Sequence, residues 1–219
     1  AMYKISYGLF VLSSIKDGKD NGCIINTAMQ VTSEPNRISI AVNKANYTHD
    51  IIAETGRLTV STISQDADFE LFKRFGFQSG RDTDKFADFS GYKRAENGVV
   101  YITEGTNSYI SAEVEQSIDL GSHTMFICKV TDAEVLNDVA SATYEYYHAN
   151  IKPKPQESKP AGKTVWRCTI CGYEHEAEEL PADFICPLCK HPASDFERVE
   201  TGDDNSEKGE NNMKKTLLS

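Results

Sequence analysis

Four of the six cysteines in this 219-residue chain fall in one short stretch, WRCTICGYEHEAEELPADFICPLCKHPASDFE, residues 166–197. They form two pairs, Cys168-x-x-Cys171 and Cys186-x-x-Cys189, with 14 residues between the pairs. A Cys-x-x-Cys turn aims both sulfurs at one point, and two such turns complete a tetrahedron. The segment is also too short to fold on an apolar core. Below about 40 residues a metal or disulfides must supply the missing stability. The pattern therefore predicts a metal-bound module, with two disulfides as the alternative.

The opening AMYKISYGLF lacks a charged n-region and a small-residue cleavage site, so no signal peptide is read there. No apolar run reaches the roughly 18–20 residues needed to span a bilayer. A cytoplasmic chain with no membrane partner is expected, and there paired thiols serve as metal ligands more often than as disulfides. The net charge of −10 excludes nucleic acid as a partner, because phosphate binding needs a basic surface.

Charge and proline also divide the chain. Residues 1–150 carry net −7, residues 151–163 net +3 and residues 164–200 net −5. The middle stretch contains Pro153, Pro155 and Pro160, which block helix and sheet. It reads as a semi-rigid linker reaching on the order of 40 Å. Residues 201–219 are polar with little to bury and read as a disordered tail. Two domains are expected, 1–150 and 164–200.

The first domain reads as mainly β with helical additions. RISIAVNK alternates, with Ile38, Ile40 and Val42 on one face of a strand. THDIIAETG reads as a short helix capped by Thr48 and stopped by Gly56. RLTVSTIS returns as a strand. DADFELFKRFG reads as a second helix with Asp66 or Asp68 as cap and Phe69, Phe72 and Phe75 on its buried side. VVYITEG, SYISAEVEQSIDL and HTMFICKVTDAEVL are three more strand-like runs. Many strands with helices between them predict a closed or partly closed barrel. Cys23 and Cys128 lie in strand-like runs and read as small apolar residues.

One region of this domain has the residues of a binding site. A strand ends at Asn43-Lys44, and a helix begins near Tyr47 and Thr48, placing amide, ammonium and hydroxyl groups beside free helix N–H groups. Such a helix start suits a phosphate. The loop Asn26-Thr27-Ala28-Met29-Gln30 offers small and hydrogen-bonding residues where backbone could approach a planar ring. On spacing alone, these are also ordinary strand-loop-helix residues.

The metal follows from the neighbours of the cysteines. Tetrahedral thiolate suits zinc and a single iron alike, and spacing alone favours zinc. Gly172 follows one pair, Pro187 follows Cys186, and Trp166, Tyr173, Phe184 and Phe196 could form an aromatic shell. WRCTICGY, CPLC and SDFE together resemble rubredoxin, in the short-spaced form found at the end of rubrerythrins; Lys190 stands where that family has glycine. The resemblance implies one Fe(II)/Fe(III) on Cys168, Cys171, Cys186 and Cys189, with a structural zinc ribbon as the alternative.

The first domain resembles the flavin reductase-like family through NTAMQVTSEP, ISIAVNKANYTH and GSHTMFICKV. Ser122 and Cys128 depart from that family's aspartate and glycine. The resemblance implies an FMN-binding split β-barrel, with FMN near 26–30 and near Asn43, Lys44, Tyr47 and Thr48, and with His123 beside flavin and nicotinamide. It also implies a homodimer, with residues 75–86, FGFQSGRDTDKF, as a candidate interface. The two halves together resemble the high-molecular-weight rubredoxins. That family implies electrons entering from NAD(P)H or a partner reductase, passing through FMN to iron, and leaving to a flavo-diiron protein that reduces O2 or NO. A flavin reductase with a docking zinc ribbon, and a non-catalytic FMN- or haem-binding sensor, are the competing readings.

Overall fold

A two-residue turn begins the architecture. In the computed structural model, which describes residues 5–153, 164–170, 172–187 and 191–199, Asp17 and Gly18 both adopt positive φ, 51° and 76°. This is the handedness that matches the twist of paired strands. It joins β1 (Phe10–Lys16) to β2 (Lys19–Ile25), with Lys16 opposite Lys19. Asp-Gly is the strongest short hairpin signal a sequence carries, yet the expectations above named no hairpin here and placed only Cys23 in a strand-like run.

The remaining strands of the first domain are β3 (Met29–Ser33), β4 (Asn36–Asn43), β5 (Arg57–Ile63), the short pair β6 (Tyr92–Arg94) and β7 (Val100–Ile102), and the long hairpin β8 (Thr106–Asp119) and β9 (His123–Val135). Seven of them form one antiparallel sheet in the order β2-β1-β5-β8-β9-β4-β3. Although β2 and β4 lie near opposite ends of that order, Cys23 and Ile25 share one core with Ile38, Ile40 and Val42. The sheet must therefore curl on itself, and the fold is a barrel. Phe126, Leu12, Leu58 and Val60 fill the same interior and are fully buried.

The strand expected over RISIAVNK, 37–44, is present as β4, with Ile38, Ile40 and Val42 on the buried face. The outer face of the barrel carries a second core built from Val11, Ile63, Phe72, Phe75 and Val100. Polar residues of β5 fasten the β6–β7 pair there: the Thr59 hydroxyl donates to the Val100 carbonyl at 2.6 Å, and the Ile102 N–H donates to Ser61 Oγ at 2.9 Å.

Helix α1 (Tyr47–Thr55) ends as expected at Gly56, whose φ of 69° only glycine adopts without strain. Its cap is Asn46, not Thr48. Thr48 lies inside the helix, almost fully buried, and its hydroxyl accepts a bond from Asn21. Its position inside the helix, past the first residue, gives the hydroxyl to this tertiary contact and the capping place to Asn46. Helix α2 (Phe69–Gly76) is capped by Asp68, which accepts from the Glu70 N–H at 3.1 Å, and it buries Phe72 and Phe75. A short helix α3 (Tyr144–Tyr146) runs into a π-helical turn, Tyr147–Ile151.

The C-terminal part is a three-stranded sheet in the order β11-β10-β12, formed by β10 (Val165–Cys168), β11 (Glu174–Glu176) and β12 (Phe196–Val199). Most of the expected linker and the whole expected tail lie outside the described residues. No helix among the described residues is long and apolar enough to cross a membrane.

Candidate functional site

Lys85 is the most unusual side chain in the barrel. It is 3 % exposed, yet the hydrogen-bond partners of its Nζ are two backbone carbonyls, Gly22 at 2.8 Å and Phe75 at 3.3 Å. Burial of the ammonium holds its pKa down to about 8, against a small opposing effect of Cys23. Asp84 Oδ1 accepts from the Phe86 N–H at 2.9 Å, which turns the chain so that Phe86 and Lys85 both face inward. A lysine between an aspartate and a phenylalanine in a polar loop reads as exposed, and no local signal marks it as buried.

Lys85 lines a cavity of about 210 Å³ together with Asn21, Cys23, Tyr47, Thr48 and Phe77. Asn21 Nδ2 donates to Thr48 Oγ1 at 2.8 Å, tying the end of β2 to the first turn of α1. No side chain caps that first turn; its His49 N–H donates to the Asn46 carbonyl, and the N–H groups ahead of it suit an anion. Burial pushes the Cys23 thiol up, so it stays protonated. A second cavity, about 600 Å³, shares Asn21, Tyr47 and Gly80 with the first and adds Lys16, Lys19 and Arg81. Arg81 lies over the Tyr47 ring, 4.9 Å from its centre, and pairs with Asp50 at 2.6 Å. A site with a desolvated ammonium and buried amide and hydroxyl groups can stabilise negative charge that develops on a bound ligand.

The residues singled out in the sequence separate into two groups. Tyr47 and Thr48 line the smaller cavity. Asn43 and Lys44 do not: Asn43 Oδ1 accepts from the Ala45 N–H, and Lys44 Nζ pairs with Asp119 at 2.7 Å on the surface. His123 faces Asn43 in the β4–β9 ladder, and its Nδ1 lies 2.9 Å from Ser122 Oγ. Asn43, Lys44 and His123 thus gather at the tip of the β8–β9 hairpin. Of the loop 26–30, Thr27 donates to the Ala41 carbonyl, Ala28 packs on the barrel core, and Met29 and Gln30 are exposed on the edge strand β3. Residues 75–86, expected at a subunit interface, wall the cavity of their own chain, with Phe75, Lys85 and Phe86 buried.

Cys168 and Cys186 are both buried and share one cluster with Tyr173 and Phe196. The Gly172 N–H donates to the Cys168 carbonyl at 2.9 Å, and Gly172 adopts a φ of 79°. This closes the first Cys-x-x-Cys turn in the way its glycine predicts. The Cys186 N–H donates to the His191 carbonyl at 2.8 Å. Phe184 packs edge-on against Phe196 at 5.3 Å, and Trp166 Nε1 donates to the Ala177 carbonyl at 3.1 Å. Cys171, Cys189 and Lys190 lie outside the described residues. Among the described residues no group of three or more metal-binding side chains is complete. The two cysteines that are described, drawn together at the heads of two turns, fit a four-thiolate site.

The comparisons with known proteins decide the family. The flavin reductase like domain model matches residues 2–154, and the rubrerythrin, rubredoxin-like domain model matches residues 166–197. The chain belongs to the flavin reductase-like family. It carries that domain fused to a rubredoxin-like one, the arrangement of the high-molecular-weight rubredoxins. High molecular weight rubredoxin of Moorella thermoacetica is 33% identical over 226 residues, covering 91% of this chain and 98% of that protein. The ferric-chelate reductase (NAD(P)H) of Archaeoglobus fulgidus is 40% identical over 154 residues, covering 70% of this chain and 90% of its own. An FMN-binding protein of Thermus thermophilus shares the fold, with a TM-score of 0.56 at 18% identity, over 61% of this chain and 73% of that one. The family confirms the split-barrel fold and an oxidoreductase working by flavin-based electron transfer.

Proposed function

We propose that the chain carries electrons from a nicotinamide donor, through FMN in the barrel, to one iron on Cys168, Cys171, Cys186 and Cys189, and on to a flavo-diiron acceptor. The observation that carries this reading is the adjacency of the two sites: His191, from the cysteine module, stands in the wall of the cavity lined by Lys85 and Thr48. When bound, FMN supplies hydride acceptance and single-electron release, and the iron supplies one-electron storage.

The chain's own residues do the rest. Lys85 holds its positive charge at the cavity wall, where it offsets negative charge on a reduced ring. Asn21 and Thr48 fix the polar wall through their mutual bond, and the uncapped first turn of α1 receives the phosphate. Tyr173 and Phe196 cover the two described cysteines and keep water from the sulfurs. A homodimer is part of this proposal. Met29 and Val31 on the edge strand, and Ile118 and Leu120 at the hairpin tip, are exposed apolar groups beside 26–30 and His123. A second copy seated there would bring those residues to the cofactor. The acceptor meets an acidic module, net −5 over 164–200, so its docking face is basic.

Anaerobic titration with NADH, followed in the visible spectrum, tests the proposal. Bleaching of both the flavin bands and the Fe(III)-thiolate bands is expected. A yellow protein with stoichiometric zinc, in which only the flavin bleaches, would replace it with a flavin reductase carrying a zinc ribbon.

A further inference from the structure

One aromatic ring belongs to both sites. Phe77 closes the C-terminal end of α2 and packs edge-on against Phe69 at 5.8 Å. It lines the smaller cavity, and it also packs on the cluster of Cys168, Cys186, Tyr173 and Phe196. A second contact lies beside the first cysteine pair. Lys152, which ends the π-helical turn, places its Cε 3.5 Å from where a Cβ would stand on Gly172. The module thus touches the barrel through a ring and an alkyl chain, and its His191 completes the cavity wall. The two partners are both acidic, net −7 over 1–150 and −5 over 164–200. Long-range charge opposes their approach, and short-range apolar contact has to hold it.

We infer that the cysteine module is a lid on the flavin pocket of its own chain, seated by Phe77, and that hydride entry and electron exit alternate at that one opening. The inference rests on the electron-transfer reading above. Seated, the module brings its thiolate site against the pocket and covers the space that a nicotinamide must enter. Lifted, it admits the donor and turns the metal site outward to an acceptor. The balance demands repeated seating: one NADH and two Fe(III) yield NAD+, one H+ and two Fe(II), and each module takes a single electron per visit. A seat held by one ring and one alkyl chain over mutual repulsion is weak enough to open on each cycle.

Nitrogen-15 relaxation of the full chain loaded with zinc in the cysteine site tests the seat and needs neither flavin nor iron. Amides of 164–199 should tumble with the barrel in the wild type and in Phe77→Leu, and tumble as a separate small body in Phe77→Ala. Loss of the ring contact should shift the ratio of seated to lifted module by about tenfold. A module that tumbles freely in the wild type, or stays seated in Phe77→Ala, overturns the inference. Anaerobic stopped-flow on the iron-loaded protein reads the alternation. In Phe77→Ala the KM for NADH in flavin reduction should fall, and the first-order reduction of iron should slow by about tenfold; Phe77→Leu should restore both. A KM for NADH that does not fall, or an iron reduction that does not slow, overturns the lid. A module that is seated by relaxation, yet whose iron stays oxidised beside reduced flavin, overturns the electron-transfer reading and leaves the seat standing.

Discussion

In the barrel, Leu12, Ile40, Val60 and Phe126 are withdrawn completely from solvent, each packed among apolar neighbours from several strands. Among the described residues of 164–199, the buried apolar side chains are Val165 and the two cysteines, Cys168 and Cys186. One region is held by large hydrophobic cores inside and outside the barrel. The other buries little beyond Cys168 and Cys186, too little for an apolar core to hold it alone, and a metal bound at those thiols would supply the folding energy. The contrast explains how a small redox module can be carried by a larger enzyme domain: the two have separate sources of stability, and a change in one need not unfold the other.

Breaking a ligand should have the largest effect. Cys186→Ser should unfold the module, since metal binding supplies on the order of 10 kcal/mol to sites of this kind. The chain's single tryptophan, Trp166, lies in the module, so its fluorescence reports that region alone. Its emission should shift to that of an exposed indole while the β-sheet circular dichroism of the barrel stays unchanged. A barrel that melts together with the module would show that the two regions share one source of stability.

The converse change is Phe126→Ala. Removing a fully buried ring from the barrel interior should cost about 3–5 kcal/mol in denaturant unfolding of the barrel, with metal content unaltered. Metal loss from this variant would break the comparison from the other side.

Lys85→Met should weaken FMN binding by about 1.5–3 kcal/mol, the range for a hydrogen bond to a charged group, while leaving the free barrel at least as stable, because it removes a buried charge. The pH dependence sharpens this. The free site holds Lys85 down to about 8, and a bound anion would raise that value, so binding takes up a proton above pH 8. Wild-type affinity should therefore fall as pH rises from about 8 toward 10, by at most about tenfold per unit, and be flat in this respect below 8. In Lys85→Met that fall should vanish; calorimetric titration at pH 7 and pH 9.5 measures both.

The smallest effect is expected from Lys44→Ala. Its partner, Asp119, is exposed, and the pair sits outside the cavity. FMN affinity should stay within about threefold of wild type, as for other exposed ion pairs. A larger loss would move the phosphate from the start of α1 toward the hairpin tip.

Signals that are local in the chain were legible. The Cys-x-x-Cys spacing, Gly172 at its positive φ, the alternation of Ile38, Ile40 and Val42, the Gly56 stop and the Asp68 cap all depend on residues within a few positions of one another. A turn, a cap or a pleat is decided by such neighbours, whatever the rest of the fold does. The Asp17-Gly18 hairpin was equally local and could have been read. By contrast, the cavity joins Asn21 to Thr48 across 27 positions and Lys85 to Gly22 across 63, and the cysteine cluster meets Phe77 from a separate domain. Whether Lys85 is solvated or buried, and whether Lys44 meets a phosphate or Asp119, depends on what the curled sheet brings beside each one. The sequence by itself determined the barrel's alternating strands and the spacing of the cysteine pairs. Only the tertiary structure decided which polar groups face the cavity, because burial and electrostatic partnership arise from residues that are distant in the chain and adjacent only once the sheet has closed.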